Sequence, residues 1–448
     1  MSYEKWSLRY YILKQYVRFI DWVIHRRTLI QGKDNIPVNK PLVFAPNHQN
    51  ALSDPMAVLL NVRFQPVWLA RADIFGKSKI TDAILRFLKI MPVYRMRDGM
   101  DSLGKNEVTF TTSVKVLQNN AALALFPEAA HTFKRQIKTH KKAIPRIVFM
   151  AEERTGGQLD IQIIPTGIHY SHYWKFNRTL ILNFGPALSV KPFYEDYVKD
   201  PQGAIRRLRE ALQEATLPLI VNFRSEKYYN DFERIRKIYG ERFLQRSGGI
   251  LSPLRLFNSD RILAYQLDQR EDEKPQETEQ FVESSRTYGQ LLKKYRLKSR
   301  LVLNDFNYLP RLLGQALLLT AGLPIFLFGL LFNGLPFFTI DWVVRNKIKD
   351  RAFWSSVILV LALIVFPLFY LLELWAVSTW ITGWWRLLFL ASLPFAGKLA
   401  FNWYILWRKT TGTIRVLRIK WFRKDLWKTL MQHKQELFKQ LDQLLPTP

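Results

Sequence analysis

The segment APNHQNALSDP, residues 45–55, holds the residue types best suited to acid–base chemistry. His48 follows an apolar run, and Asp54 stands directly before Pro55. An aspartate that accepts a hydrogen bond from one imidazole nitrogen fixes the tautomer and leaves the other nitrogen to take a proton. The sequence therefore predicts His48 as a general base oriented by Asp54. The alternative is that Asp54 only caps a helix that Pro55 begins, and that His48 is an ordinary loop histidine.

The chain contains no cysteine, which excludes disulfides, zinc–thiolate sites and a cysteine acyl-enzyme. A His–Asp pair without a nucleophilic side chain suits direct transfer, in which the hydroxyl of the substrate attacks. His169 and His172 have a spacing that can bind a metal, but no cysteine or carboxylate cluster lies near them in the sequence. We therefore predict no metal site. The sequence also has no Gly-rich phosphate loop of the Walker or dinucleotide type.

Four blocks in order make the sequence resemble the glycerolipid acyltransferase family, which includes glycerol-3-phosphate and 1-acylglycerol-3-phosphate (lysophosphatidic acid) acyltransferases. The blocks are NHQNALSD (47–54), ARADIF (70–75) with IMPVYR (90–95), FPEAAH (126–131) and IIPTGI (163–168). The resemblance covers roughly residues 25–220, about half of the chain. Four ordered blocks are far more specific than any one of them.

The resemblance implies that His48 is the general base, that Asp54 orients it and that acyl transfer is direct. It also implies that Arg95 binds the phosphate of the acceptor and that Glu128 helps to bind the glycerol-phosphate. A guanidinium suits the first role because it can grip two phosphate oxygens at once. Without the resemblance, Arg95 reads as a surface arginine beside Arg97, and Glu128 as a capping or salt-bridging residue.

The sequence departs from the family pattern in two places. Five residues separate His48 from Asp54, where the family usually has four, so the loop is expected to bulge by one residue. The third block usually reads FPEGTRS and differs here at three positions, Ala129, Ala130 and His131. One expected phosphate-binding arginine is therefore missing. Lys134 and Arg135 are candidates to replace it, and His131 is a candidate donor as an imidazolium.

The elements that must hold these residues read as an α/β domain over residues 31–222. Six apolar runs predict strands, at 41–45, 66–70, 90–94, 121–125, 161–165 and 179–184, and helix-length segments lie at 102–119, 140–153 and 202–215. The resemblance implies an acyltransferase-type mixed sheet flanked by helices. His48 would then lie at the carboxyl end of a strand, where α/β sheets usually bind ligands.

Two charged segments flank this domain. Residues 1–30 predict an amphipathic helix, because residues 5–27 mix aromatic and basic residues at helical spacing. It would lie in a membrane interface or pack on its own domain. Residues 223–305 predict a charged helical insertion and linker, in which REDEKPQETEQ, 270–280, is the most disorder-like segment.

Residues 306–448 read as a membrane region with transmembrane helices and a basic cytoplasmic tail. Residues 312–340 and 354–372 carry no charge, and a weaker apolar stretch covers 387–407. Pro324 and NGLP, 333–336, predict that the first stretch is a hairpin of two half-helices. The basic loop 345–351 and the tail would be cytoplasmic, with spans near 354–376 and 386–407. The alternative is a buried helical core.

The formal net charge of +29 predicts attraction to a polyanion, and the 48% hydrophobic content with its apolar stretches favours a membrane over nucleic acid. We therefore predict an O-acyltransferase on the cytoplasmic face of the inner membrane. Its donor would be acyl-CoA or an acyl carrier protein thioester, with no cofactor and no nucleic-acid partner. The predicted acceptor is 1-acylglycerol-3-phosphate, with glycerol-3-phosphate as the alternative. A non-catalytic membrane scaffold is the alternative of another class, and nucleic-acid binding has only the charge in its favour.

Overall fold

A computed structural model describes residues 2–94, 102–303 and 308–447 of the 448-residue chain. The chain divides into two compact units. The first holds Met1–Ile220 together with Val344–Leu363, and the second holds Val221–Val343 with Ile364–Pro448. A short piece of the C-terminal third therefore belongs to the same unit as the predicted α/β domain.

The first unit is built on one eight-stranded mixed sheet in the described residues. The strands are β1 (His25–Gln31), β2 (Leu42–Pro46), β3 (Val67–Arg71), β4 (Ile90–Val93), β5 (Ala122–Ala124), β6 (Gln162–Tyr170), β7 (Arg178–Phe184) and β8 (Leu188–Ser189). Their order is β1-β7-β6-β2-β5-β3-β4, with β8 paired to β6. The run β6-β2-β5-β3-β4 is parallel, whereas β7 and β8 are antiparallel to β6.

Helices cover both faces of this sheet, as its strands, buried on both faces, require. They are α1 (Leu8–Ile24), α2 (Ser53–Leu59), α3 (Lys79–Phe87), α4 (Ser102–Gln118), α5 (Ala143–Glu153), α6 (Lys191–Tyr197) and α7 (Pro201–Thr216). One apolar core packs α4, α5 and α7 on one face, and a second core packs α2 on the other. The predicted α/β fold class, its six predicted strands and its three predicted helices are confirmed.

The amino-terminal prediction is wrong at its end. Helix α1 stops at Ile24, and His25 begins strand β1, which pairs in parallel with β7. The basic residues Arg26 and Arg27 are exposed on this edge strand, so its sequence does not show the apolar run of a buried strand. Helix α1 also packs on its own domain, since Lys14 Nζ donates to the carbonyls of Val62 and Phe64, both at 2.7 Å.

The second unit is helical in the described residues. Its helices are α8 (Tyr229–Arg246), α9 (Pro253–Glu273), α10 (Pro275–Lys294), α11 (Ser299–Leu303), α12 (Tyr308–Lys347), α13 (Trp354–Val377), α14 (Trp385–Phe422) and α15 (Lys424–Leu444), of which α12 and α13 run partly in the first unit. The helical character predicted for residues 223–305 extends through the disorder-like segment 270–280. These residues form the end of α9 and the start of α10, and the ion pairs Arg270–Glu273 and Lys274–Glu277 use their charges within single helical turns.

The hairpin predicted for residues 312–340 is also wrong, because they lie in one 40-residue helix, α12, with Pro324 and Pro336 inside it. An internal proline removes one backbone hydrogen bond, and apolar helices tolerate this loss. By length and composition, two helices of the described residues can cross a membrane, Tyr308–Lys347 and Arg351–Val377. The weaker apolar stretch at 387–407 lies within α14, which continues into basic residues and is not one of these two.

Candidate active site

The carboxyl ends of three adjacent parallel strands bring the predicted site together. Strand β2 leads into Asn47 and His48, strand β5 leads into Phe126 and Glu128, and strand β3 ends at Arg71. Because β2, β5 and β3 are neighbours and parallel, these residues all emerge at one edge of the sheet. The Asn47 side chain secures the end of β2, since it accepts a hydrogen bond from the Ile168 N–H (2.6 Å) and donates to the carbonyl of the same residue (3.3 Å).

His48 and Asp54 form the hydrogen-bonded pair that a general base requires. Nδ1 of His48 lies 2.9 Å from Oδ2 of Asp54. The Asp54 side chain is completely buried, and that of His48 is 14% exposed. A carboxylate on Nδ1 holds the proton on that nitrogen and leaves Nε2 to accept a proton from a substrate. The arrangement can therefore perform general-base catalysis at the protein surface.

The capping alternative for Asp54 is wrong. Helix α2 begins at Ser53, its N-cap is Leu52, and no side chain makes a capping hydrogen bond there. Instead, Oδ2 of Asp54 turns back and accepts the backbone N–H groups of Gln49 and Asn50, both at 2.6 Å. The loop of five residues between His48 and Asp54 therefore winds around this one carboxylate.

A buried cluster lies behind Asp54. The pKa of the Tyr170 hydroxyl is raised well above its usual value by burial and by the charge of Asp54. The guanidinium of Arg178 lies 4.6 Å from the centre of the Tyr170 ring, donates to Ser53 Oγ at 3.2 Å, and its Nε donates to His25 Nε2 at 3.0 Å. This cationic side chain compensates for the buried negative charge of Asp54.

Glu128 lies beneath the histidine. It is 2% exposed, and its two oxygens accept the backbone N–H groups of His48 (3.1 Å) and Lys138 (3.2 Å). Burial raises the pKa of Glu128 to about 7, and the charge of Asp54 acts in the same direction. The structure therefore gives this residue a second task besides the predicted substrate binding, because it fixes the backbone of His48.

Two rings surround the imidazole of His48. The Phe126 ring stacks on it with centroids 3.8 Å apart, and His131 meets it edge-on at 5.2 Å. Burial, followed by the charge of His48, lowers the pKa of His131. The imidazolium predicted for His131 is therefore disfavoured at neutral pH, although a neutral imidazole still has one N–H to donate.

The predicted phosphate-binding residues are only partly assembled. Arg95 lies outside the described residues. Lys134 is exposed. Arg135, in contrast, is 5% exposed, donates to the Tyr170 carbonyl at 2.7 Å and lies over the Tyr173 ring at 5.3 Å, so it supports the loop and does not present its guanidinium to solvent. Ala129 occupies the position of the family glycine and adopts the left-handed conformation (φ 56°) that glycine favours.

Sequence reasoning missed two parts of this site. The first is Arg71. It directly follows the apolar run 66–70, which predicts a strand, and this position could have marked it as a residue of the site. Its charge reaches the site, because it contributes to lowering the pKa of His131, and its guanidinium pairs with Asp73. The second part is the segment before α13. Phe353 lies edge-on to His131 at 5.6 Å, and Asp350 acts on the pKa of that histidine. No sequence pattern around Phe353 predicts its contact with His131.

The described residues contain no group of three or more His, Cys, Asp or Glu side chains that could hold a metal ion. His169 lies in β6, where it is 8% exposed, and His172 follows the strand and packs edge-on against Trp174 at 4.7 Å.

The fold and the site define an α/β domain with a hydrogen-bonded His48–Asp54 pair at the carboxyl edge of its parallel strands. Residues 27–169, about a third of the chain, match the family model described as Acyltransferase. The matched residues are those of the α/β domain that carries His48 and Asp54, so this domain is similar to the acyltransferase family. Among solved structures, the chain is similar to the crystal structure of the 1-acyl-sn-glycerophosphate (LPA) acyltransferase PlsC from Thermotoga maritima, with 16% identity, 46% of this chain and 79% of that chain covered, and a TM-score of 0.32. No curated protein matches the chain.

Proposed function

We propose that this acyltransferase transfers a fatty acyl group from a thioester, acyl-CoA or acyl carrier protein, to the free hydroxyl of 1-acylglycerol-3-phosphate. The observation that carries the proposal is the His48–Asp54 pair at the carboxyl edge of the parallel strands, with the Nδ1–Oδ2 distance of 2.9 Å. The chain has no cysteine that could form an acyl-enzyme, which supports direct transfer.

The reaction follows from this geometry. Nε2 of His48 takes the proton of the acceptor hydroxyl as the oxygen attacks the thioester carbonyl carbon. The new C–O bond forms, the C–S bond breaks, and the proton passes from His48 to the departing thiolate. Asp54 stabilises the imidazolium that exists between the two proton transfers. General-base catalysis of this kind contributes on the order of 10² to 10⁴ in rate, and positioning of the two substrates contributes much of the remainder.

The acceptor is proposed to be held by its phosphate. Arg95 is the residue that the family resemblance assigns to this contact, and Arg71 adds a second guanidinium at the edge of the sheet where His48 lies. Glu128 and His131 lie next to the base, whereas the buried Arg135 acts on the loop. An acceptor whose acyl chain remains in the bilayer suits a chain with membrane-length helices, and glycerol-3-phosphate is the alternative acceptor.

We propose that the protein lies in the inner membrane. The first unit, which contains His48 and is called the catalytic unit below, would then face the cytoplasm. Of the two helices long and apolar enough to cross a bilayer, α13 is the proposed span, because a single crossing by α12 would separate loop 345–351 from the unit that contains His48. Loop 345–351, which is rich in Lys and Arg, belongs to the same compact unit as His48, and such loops stay on the cytoplasmic side. Helix α1 also exposes aromatic and aliphatic side chains that suit a bilayer surface, among them Ile12, Phe19 and Trp22.

The deciding experiment is acyl transfer by the detergent-purified protein. Glycerol-3-phosphate and 1-acylglycerol-3-phosphate are each offered with a long-chain acyl-CoA and with an acyl carrier protein donor. We expect product with 1-acylglycerol-3-phosphate, and a loss of at least about 100-fold in kcat for His48→Ala, the lower range of general-base catalysis. His433→Ala, in α15, is the matched control.

Three outcomes would contradict parts of the proposal. Activity that survives His48→Ala would exclude the mechanism. If product forms only with glycerol-3-phosphate, then glycerol-3-phosphate is the acceptor and 1-acylglycerol-3-phosphate is not. No product from folded protein with any pairing would favour a non-catalytic scaffold that kept the fold.

A further inference from the structure

The start of helix α13 reaches the catalytic loop, although about 300 residues separate them in the sequence. Val344–Leu363 belongs to the same compact unit as residues 1–220. Within it, Ser355 and Ser356 occupy the first turn of α13 and are 5% and 7% exposed. Both hydroxyls are directed at the loop between His48 and Asp54.

Each serine makes one hydrogen bond to this loop. Oγ of Ser356 accepts the backbone N–H of Leu52 at 3.0 Å. Oγ of Ser355 donates to Oδ1 of Asn50 at 2.7 Å, and the amide nitrogen of Asn50 in turn donates to the Tyr173 carbonyl at 2.9 Å. Both polar atoms of the Asn50 side chain are therefore hydrogen-bonded, and so is the backbone N–H of Leu52.

The loop needs such support at this point. It contains one residue more than the usual spacing, and Ala51, between the two supported residues, adopts a φ of 40°. A left-handed conformation of a residue with a Cβ is strained and persists only where its surroundings hold it. The two hydrogen bonds from α13 lie on either side of this strained residue, so they counter the tendency of the loop to relax.

Further contacts keep α13 in place on this unit. Phe353 packs edge-on against His131 at 5.6 Å, and Trp354 lies edge-on to Trp174 at 6.4 Å. Near the other end of the segment, the Tyr16 hydroxyl donates to the Leu363 carbonyl at 2.7 Å. Helix α13 is also one of the two helices able to cross a membrane. The same helix can therefore anchor the protein and support its catalytic loop.

We propose that Ser355 and Ser356 are positioning residues, through which the membrane helix α13 holds the widened loop so that Asp54 and His48 keep their catalytic geometry. The proposal rests on the proposed acyltransferase function and adds a requirement to it: the catalytic loop is complete only when α13 is docked. Because small displacements of a base cost large factors in rate, loss of this support should affect the chemical step more than binding.

The experiment compares wild type with the double variant Ser355→Ala/Ser356→Ala in the detergent-purified full chain. We expect kcat to fall about tenfold or more, while KM for donor and acceptor changes by less than about threefold. Ser355→Thr/Ser356→Thr, which retains both hydroxyls, is expected to recover most of kcat. Ser378→Ala, beyond the other end of α13, is the control and should match wild type.

The outcomes separate the two proposals. An active wild type with a double variant whose kcat stays within twofold would overturn the positioning role alone. An inactive wild type would overturn the proposed function and, with it, this inference. If the double variant does not fold, Ser355→Ala decides the matter, because it leaves the Leu52 hydrogen bond intact. An unchanged kcat in that variant would count against the proposal.

Discussion

One oxygen atom organises the catalytic loop. Oδ2 of Asp54 accepts hydrogen bonds from His48 Nδ1 and from the N–H groups of Gln49 and Asn50. Folding of the loop and orientation of the base therefore depend on the same atom. The two sequence interpretations of Asp54, local structure and catalysis, are for this reason not exclusive: the residue shapes the loop, although it does not cap α2.

Glu128 gives a prediction at this scale. Glutamine has one acceptor oxygen where glutamate has two, and its NH₂ group would face a backbone N–H. Glu128→Gln therefore leaves either His48 N–H or Lys138 N–H without an acceptor, at a cost of about 1–3 kcal/mol. We expect kcat to fall about 10- to 100-fold because the histidine backbone is displaced. Steady-state kinetics in detergent measures this.

The chain provides a matched control for that change. Glu152 is also buried, and its oxygens accept the N–H groups of Leu159 (3.1 Å) and Ile161 (3.0 Å) in another part of the unit. Glu152→Gln should lower the thermal stability in the same way and leave kcat within about twofold. Equal kinetic losses in the two variants would show that the effect of Glu128 is on the fold alone.

At the residue scale, the sequence predicted which block residues lie beside His48, but it did not predict all of the neighbours of this side chain. His48, Asp54 and Glu128 lie together as the ordered blocks predict, because each block follows a strand and the strands are parallel neighbours. Arg135 was predicted as a candidate phosphate-binding residue because it closely follows the third block in the sequence. It is buried, because its guanidinium bonds to the Tyr170 carbonyl, and nothing in the sequence marks that backbone partner.

At the element scale, the loop before α5 packs against α7 through a histidine. His140 is 1% exposed, its N–H donates to Gln213 Oε1 of α7 at 3.1 Å, and within the described residues neither ring nitrogen has a hydrogen-bond partner. Burial, and then the charge of Arg209, lowers the pKa of His140 to about 4. Protonation of this ring is therefore much easier in the unfolded chain, whose histidine pKa is near 6.5.

The low pKa of His140 makes the stability of the folded state depend on pH. Between pH 6.5 and 4 the unfolded chain binds a proton that the folded chain does not, so the folded state loses stability as the pH falls through this range. The full loss is about 3 kcal/mol, since one pKa unit corresponds to about 1.4 kcal/mol. We expect His140→Phe to remove this part of the decrease in the thermal midpoint between pH 7 and pH 4.5, and His433→Phe to retain it. Identical pH profiles for wild type and His140→Phe would contradict the prediction.

Elements formed by the burial of an apolar run could be predicted from the sequence. Elements that depend on contacts with distant segments could not. The apolar strands β2, β3, β5, β6 and β7 follow from hydrophobic burial alone. Strand β1 was missed because its exposed arginines resemble those of the preceding helix. It forms a strand because its backbone pairs in parallel with β7. Helix α12 was divided in error at Pro324 and Pro336, since the cost of an internal proline is smaller than that of breaking an apolar helix.

For the whole molecule, the assignment of Val344–Leu363 to the catalytic unit could not be predicted. In the sequence this segment reads as a basic loop followed by a membrane span, and both descriptions are compatible with the structure. Its contacts with Asn50 and Leu52 are formed by two serines in an apolar helix. Such serines carry no periodic or motif signal, so only the three-dimensional arrangement identifies them.

The arrangement of α13 in the membrane gives the last prediction. Residues Arg351–Val377 would extend about 40 Å as a helix, enough for a hydrocarbon core of about 30 Å. The loop before them is basic, whereas residues 378–385 carry no charge and contain three tryptophans. Lysine and arginine stay on the cytoplasmic side, and tryptophan favours the interface. Positions 349 and 379 should therefore lie on opposite sides, with position 349 and the catalytic unit in the cytoplasm.

The absence of native cysteine makes this measurement clean, because a single introduced thiol is the only one that a maleimide can label. In spheroplasts, Thr379→Cys should react with a membrane-impermeant maleimide, and Lys349→Cys only after permeabilisation. Equal labelling of both variants in permeabilised membranes is the control for reactivity. The reverse pattern would place the catalytic unit outside the cytoplasm, away from acyl-CoA and acyl carrier protein. Protection of both positions in intact spheroplasts would mean that α13 does not cross, and that it serves the catalytic loop as a helix buried in protein or lying along the membrane.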